Sequence, residues 1–229
     1  MNIEELQEKT QAFVKHINSV KQKIQDDLDK YLLENLNSEQ IELDINIKGE
    51  SKRKEVILQM LEIVPQSVLD FIKKRNCIIE IVKTRKELYL INGEAYKEDK
   101  DTDGLLGTCL TGYMYRIAIL DLDLYTLEDT EDYNDGINYE MAQIFLHELG
   151  HLIDNCKPYS YASKTPTFLA IYNKEKDYVY VEVGNYEYAT SDSTEYFASM
   201  FCEYITRPAL LKIVAPKTYE FMKQYIEKL

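Results

Sequence analysis

Several residue types are scarce in this chain, and their scarcity narrows the kinds of protein it can be. The 229 residues include no tryptophan and only three histidines, against 19 tyrosines. Basic residues are outnumbered by acidic residues, 27 to 40, which gives a formal net charge of −13. Such a chain repels polyanions on average, so we expect no nucleic-acid partner.

Long apolar runs and a secretory leader are also missing. No segment reaches the roughly 20 apolar residues that a membrane-spanning helix needs, so no membrane partner is expected. The N-terminus, MNIEELQEKTQAFVKHINSV, begins with acidic residues and has no apolar stretch before a small-residue cleavage site. We therefore expect a cytoplasmic protein as written, or a secreted or delivered one if a leader has been trimmed.

The cysteines are few and widely separated, with no C-x-x-C pair. This spacing is typical of free thiols and not of a disulfide framework or a zinc ribbon. The four positions are Cys77, Cys109, Cys156 and Cys202.

The hydrophobic pattern predicts an α+β protein. Apolar residues three and four positions apart, from Ile3 to about Leu33, predict a long amphipathic helix. We assign residues 1–50 to an N-terminal helical extension and 51–229 to the main domain. In the main domain we expect two short helices broken at Pro65, then the β-rich runs CIIEIVK and ELYLING, then a strand over Tyr115 to Leu122. A small sheet would thus precede a helical C-terminal half.

The segment QIFLHELGHLIDN, residues 143–155, contains two of the three histidines. On a helix, His147 and His151 lie on one face, and each could place a nitrogen about 2.0–2.1 Å from a zinc ion. Glu148 is rotated by about 100° from His147, close enough to reach a water at the metal without binding the metal. H-E-x-x-H is therefore a pattern for zinc with an adjacent base.

Two features favour zinc over coincidence. The apolar positions of a buried helix surround the motif, at Met141, Ile144, Phe145, Leu149 and Leu152. Gly150 is a poor helix former inside this helix, which indicates the close approach of another backbone.

A catalytic zinc usually has three protein ligands, so one remains to be found. The extension H-E-x-x-H-x-x-G-x-x-H fails, because Asp154 and Lys157 stand at the required positions. His16 lies far away on a helix of its own. The third ligand is therefore expected to be a carboxylate.

The helix within SDSTEYFASMFCEYITRP supplies the natural candidate. Asp192 or Ser193 would cap it, and Glu195 lies in its first turn. Glu203 on the same helix and Glu140 on the motif helix remain alternatives, because position alone does not decide between them.

An acidic segment before the zinc motif resembles the start of a calcium-binding loop. DKDTDG, Asp99 to Gly104, matches the opening of an EF-hand loop, but Leu110 stands where the bidentate glutamate is required. We interpret the segment as a solvated acidic turn.

These elements together resemble the catalytic domain of anthrax lethal factor and its relatives, which include secreted Pro-Pro endopeptidases of clostridia. The resemblance covers residues 55–229 and rests on HELGH at 147–151, Tyr188, STEYFASMF with Glu195, and the tail APKTYEFMKQYI at 215–226. It implies a zincin-like metallopeptidase domain with a small mixed sheet. It also implies one Zn²⁺ per chain and hydrolysis of peptide bonds in a protein or extended peptide substrate.

The resemblance also implies a role for each matching residue. His147, His151 and Glu195 would bind zinc, Glu148 would be the general base, and Tyr188 would stabilise the oxyanion. The strand YRIAILDL would be the edge strand beside the cleft, where an extended substrate could pair with it.

Two alternatives remain beside the peptidase. One is a catalytically silent zincin-fold protein with a binding or regulatory role. The other is a structural zinc site closed by a fourth ligand, Cys156 or Cys202.

Overall fold

The computed structural model describes residues 45–49, 51, 53–93, 106–112, 114–122, 131–155, 160–179 and 186–229, with the backbone alone for 131–137. Asp44–Leu229 form one compact unit. The predicted N-terminal helix and the acidic turn at 99–104 lie outside the described residues, and the predicted domain division stays a prediction. Among the described helices, none combines the length and apolar character that crossing a membrane requires.

A mixed sheet and a set of helices make up the described part of the chain, which confirms the α+β prediction. The strands are β1 (Asn46–Lys48), β2 (Ile78–Val82), β3 (Gly107–Leu110) and β4 (Arg116–Leu120). The helices are α1 (Lys54–Ile63), α2 (Gln66–Lys74), α3 (Arg85–Ile91), α4 (Glu131–Asp154), α5 (Pro166–Glu175), α6 (Tyr186–Ala189), α7 (Ser193–Thr206), α8 (Pro208–Val214) and α9 (Pro216–Ile226). Short 3₁₀ turns at Ala162–Lys164 and Lys176–Tyr178 flank α5. The break at Pro65 and the strand within CIIEIVK are confirmed.

The sheet corrects one prediction about its edge. Its order is β1-β2-β4-β3, with the first three strands parallel and β3 antiparallel to β4. The strand predicted over Tyr115 to Leu122 therefore lies inside the sheet, and β3 is the edge strand on that side. Gly112, at φ 107°, helps to reverse the chain between β3 and β4. The glycine-rich run before β4 contains strand β3, which was not predicted from the sequence.

The run ELYLING is also not a strand, contrary to prediction. Most of it lies in helix α3, which begins with a capping box. The Thr84 hydroxyl accepts a hydrogen bond from the Glu87 amide at 3.2 Å, and the Glu87 carboxylate accepts one from the Thr84 amide at 3.1 Å. This reciprocal cap stabilises the first helical turn and outweighs the β-forming preference of the residues that follow.

The main helical core forms where α4 packs against α7. Both helices carry fully buried apolar side chains, namely Met141, Phe145, Leu146, Leu149 and Leu152 on α4 and Tyr196, Phe197, Met200 and Phe201 on α7. At Gly150 the two backbones nearly touch. A Cβ atom there would lie 2.7 Å from the Ala198 Cα and 2.9 Å from the Ala198 carbonyl oxygen. The close approach inferred from Gly150 is confirmed.

We predict that Gly150→Ala lowers the free energy of unfolding, by about 1–3 kcal/mol, because the added methyl group overpacks the α4–α7 contact. Thermal or urea denaturation measures this change. Ala198→Gly should not rescue the variant, because the opposing atoms are backbone atoms that glycine retains. Alanine by itself favours a helix over glycine by about 1 kcal/mol. If that preference outweighed the overpacking, Gly150→Ala would be more stable than the parent and the prediction would be wrong.

Candidate metal centre

Helix α4 presents both motif histidines on one side, as their spacing of four residues requires. The rings of His147 and His151 meet edge to face with centroids 4.7 Å apart. Their Nε2 atoms are 3.1 Å apart, and both residues are half-buried. The two nitrogens therefore face a common point.

Helix α7 brings Glu195 to the same point. The Asp192 side chain caps the helix by accepting hydrogen bonds from the amides of Thr194 and Glu195, whereas Ser193 is the first helical residue. The Glu195 Oε2 atom lies 3.1 Å from His147 Nε2 and 3.4 Å from His151 Nε2. In the described part of the chain, these three residues form the one group of side chains arranged to hold a metal ion.

The distances between the three ligand atoms suit zinc. Tetrahedral ligands about 2.0–2.1 Å from an ion are roughly 3.3–3.4 Å from one another, by geometry alone. The separations of 3.1, 3.1 and 3.4 Å are close to this value. Two imidazoles and one carboxylate also match the donor set of a catalytic zinc site.

The alternative ligands are engaged elsewhere. Glu203 accepts a hydrogen bond from Arg207 Nε at 2.8 Å, and the Cys202 thiol lies 2.7 Å from Gln143 Oε1. Glu140 is not part of the group around the histidines. Cys156 lies outside the described residues.

The charges of the cluster distinguish its two glutamates. Burial opposes ionisation of Glu195, but hydrogen bonds and the positive charge of the two histidines outweigh it and hold the pKa of Glu195 well below its usual value. For Glu148, burial dominates and raises the pKa, with the histidines opposing it and Glu195 adding to it. Burial lowers the pKa of His151, but the adjacent carboxylates raise it overall. The two carboxyl groups therefore have pKa values shifted in opposite directions.

Tyr188 lies on the short helix α6, beside the histidines. Its ring centroid is 6.1 Å from that of His147, and its side chain is 56% exposed. Partial burial and the negative charge of the nearby Glu195 raise the pKa of Tyr188. The Tyr172 hydroxyl donates to the Thr190 carbonyl at 2.8 Å, which fixes the chain just after α6 to helix α5.

One contact of the site was not anticipated from the sequence. The Ser199 hydroxyl lies 3.4 Å from Nδ1 of His147, on the side of the ring opposite the cluster. A group at this nitrogen helps to orient a metal-binding histidine. Ser199 lies one helical turn beyond Glu195, and this spacing of four residues in the sequence indicates that both side chains lie on the same face of the helix.

We predict that Asp192→Ala lowers the free energy of unfolding by about 1 kcal/mol, because it removes the cap of α7. Asp192→Asn is the matched control, since asparagine caps equally well but cannot form the ion pair with Lys164 at 3.7 Å. Equilibrium denaturation near pH 7 compares the variants.

The pH dependence gives a further check on the Asp192 cap. Burial opposes ionisation of Asp192, but its hydrogen bonds from Thr194 and Glu195 lower its pKa below the unfolded value. The capping contribution is thus complete at neutral pH and is lost as the pH falls through the folded pKa. If Asp192→Asn and Asp192→Ala lower the free energy of unfolding equally, the charge of Asp192 and not its capping hydrogen bonds stabilises α7.

An H-E-x-x-H helix with a glutamate on a second helix is the arrangement typical of zincin-like metallopeptidases. Among solved structures, the Pro-Pro endopeptidase of Paenibacillus alvei is similar, with a TM-score of 0.50 and 22% identity over 80% of this chain and 98% of that chain. No curated protein matches the chain significantly.

The family follows from the sequence match. Residues 44–225 match the family described as anthrax toxin lethal factor, N- and C-terminal domain. The chain belongs to this family and is therefore related to peptidases.

Proposed function

We propose that the protein is a zinc-dependent endopeptidase that hydrolyses peptide bonds in a protein or an extended peptide. The observation that carries the proposal is the convergence of His147, His151 and Glu195 within zinc-ligand distances, beside a buried carboxylate at Glu148. Membership of the lethal factor family supports it. One zinc ion per chain would be held by these three side chains.

Glu148 is the proposed general base. A zinc ion at this site supplies Lewis-acid chemistry, which lowers the pKa of a water molecule toward neutrality. The Glu148 carboxylate accepts a proton from the attacking water and passes it to the leaving amine. The raised pKa of Glu148 suits both steps, because a carboxylate with a pKa nearer neutrality exchanges protons more readily in each direction.

Tyr188 is the proposed donor to the oxyanion. Attack on the scissile carbonyl places negative charge on its oxygen, and a protonated hydroxyl can donate a hydrogen bond to that oxygen. A tyrosine hydroxyl is protonated throughout the neutral range, and the pKa of Tyr188 is raised further above that range. The tie between Tyr172 and Thr190 reduces the freedom of this segment.

The edge strand β3 is the proposed docking strand for the substrate. Its partner β4 occupies one side, and in the described sheet no strand pairs with the other. An extended peptide could add to that free edge through main-chain hydrogen bonds, which would carry its scissile bond past Glu148. The relative from Paenibacillus alvei is named for Pro-Pro cleavage, so Pro-Pro sequences belong among the first substrates tested.

We predict that Glu148→Gln lowers kcat at least about 100-fold, because it removes the general base, while zinc content stays near one per chain. A quenched fluorescent peptide library that includes Pro-Pro sequences measures the activity, and elemental analysis measures the metal. Chelation should abolish activity of the parent, and zinc should restore it.

The same experiment separates the peptidase from the alternative of a silent binding or regulatory protein. Zinc binding by the parent with no cleavage across the library would favour the silent protein. Cleavage by Glu148→Gln at the parental rate would exclude the proposed mechanism.

We predict that Tyr188→Phe lowers kcat about 100-fold with little change in zinc affinity, because one oxyanion donor is lost. Tyr186→Phe is the matched control. Tyr186 lies on the same short helix, but its hydroxyl bonds to the Lys176 carbonyl at 3.1 Å. Steady-state kinetics on the best library peptide compare the two, and equal losses would assign the effect to disturbance of α6.

A further inference from the structure

We propose that Gly107 is a positioning residue for Glu148, and that only a residue without a side chain at this point of β3 leaves room for the working orientation of the carboxylate. This inference rests on the proposed function of Glu148. A Cβ atom at Gly107 would lie 2.8 Å from Glu148 Cγ, 2.9 Å from Glu148 Oε1 and 2.8 Å from Ile144 Cγ2. Carbon atoms in contact are normally about 3.5–4.0 Å apart, so none of these distances is tolerable.

The requirement for glycine here concerns space and not backbone conformation. Gly49, Gly93 and Gly112 have positive φ angles, and Gly107 does not. It pairs regularly with Ile119 in the antiparallel ladder of β3 and β4. Any residue could adopt this extended backbone. A strand glycine of this kind marks a place where another group approaches closely.

The approaching group is the side chain of the proposed base. Glu148 is 8% exposed, and both its Cγ and its Oε1 lie against the strand backbone. Close packing on this side limits the orientations available to the carboxylate. The backbone of β3 therefore limits how far the Glu148 side chain can move away from the histidines.

An added methyl group would displace Glu148 more easily than the strand. Strand β3 is held by a hydrogen bond from the Leu120 amide to the Leu106 carbonyl at 2.8 Å. On β3 the Thr108 hydroxyl also donates to Asn92 Oδ1 at 2.9 Å. The flexible glutamate side chain can rotate away, whereas the branched Ile144 is stiff at χ1. The two contacts therefore have different consequences, because rotation of Glu148 affects catalysis and crowding of Ile144 affects stability.

The first experiment is Gly107→Ala in the zinc-loaded full chain. We expect kcat to fall at least about tenfold, because small misplacement of a catalytic group is costly. KM and zinc affinity should change less than about twofold, because the main-chain groups of β3 are retained and the atoms nearest the added methyl group belong to Glu148 and Ile144. The substrate is the library peptide that the parent cleaves fastest, and competition with a chromophoric chelator measures zinc affinity.

Asn92→Ala is the matched control for a general loosening of β3. It removes the hydrogen bond that the Thr108 hydroxyl donates to Asn92 Oδ1 without changing a residue of the strand. We expect it to keep kcat within about twofold of the parent, by the same positioning argument. A loss in Asn92→Ala equal to that in Gly107→Ala would overturn the inference.

A double-mutant cycle with Glu148→Ala tests whether Gly107 acts through Glu148. Alanine has neither the Cγ nor the Oε1 atom that an added methyl group at position 107 would meet. Gly107→Ala should therefore lower the residual kcat by a smaller factor in the Glu148→Ala background than it lowers kcat in the parent. The same factor in both backgrounds would overturn the inference.

A second double variant separates folding from catalysis. Ile144→Ala removes the Cγ2 atom that opposes position 107. In the double variant Gly107→Ala/Ile144→Ala, stability should therefore recover. Its kcat should stay low, because the contact with Glu148 remains. Recovery of kcat to the Ile144→Ala level would overturn the inference. Failure of the proposed function is distinguishable, because it appears as activity in Glu148→Gln. If Glu148→Gln is inactive and Gly107→Ala is fully active, the inference about Gly107 is wrong while the proposed function stands.

Discussion

The contact between helices α4 and α7 is the constraint on which the candidate site depends. Gly150, adjacent to His151, meets the backbone of Ala198, three residues beyond Glu195. Packed helices usually lie about 8–10 Å apart, at a distance set by the side chains at the contact. The absence of a side chain at Gly150 lets the two backbones meet. Atoms of His147 and Glu195 can therefore come within 3.1 Å of each other.

Two glutamates close to the same histidines have opposite electrostatic environments. Hydrogen bonds and positive charge lower the pKa of Glu195, whereas burial raises the pKa of Glu148. Environments that push the pKa values of neighbouring carboxyl groups apart are a mark of acid–base sites with divided roles. This contrast fits the proposed assignment of Glu195 to the metal and of Glu148 to proton transfer.

Predictions from the sequence held where local spacing decides the structure, and failed where it does not. The motif helix and the break at Pro65 follow from periodicity and from the missing amide of proline. The strand predicted in ELYLING is wrong because the Thr84–Glu87 capping box starts a helix there. The edge strand was misplaced because strand order depends on pairing between distant segments, and the short strand β3 gave a weak signal.

For the candidate site, the sequence by itself determined that His147, Glu148 and His151 share a helix and that the histidines lie on one face. The helical repeat sets those relations within a few residues. It also favoured Glu195 over Glu203 and Glu140 as the third partner, without settling the choice. Only the tertiary structure decided that Glu195 meets the histidines and that the strand backbone at Gly107 lies close to the Glu148 side chain. Distances between separate elements depend on how their surfaces pack, and no local spacing encodes them.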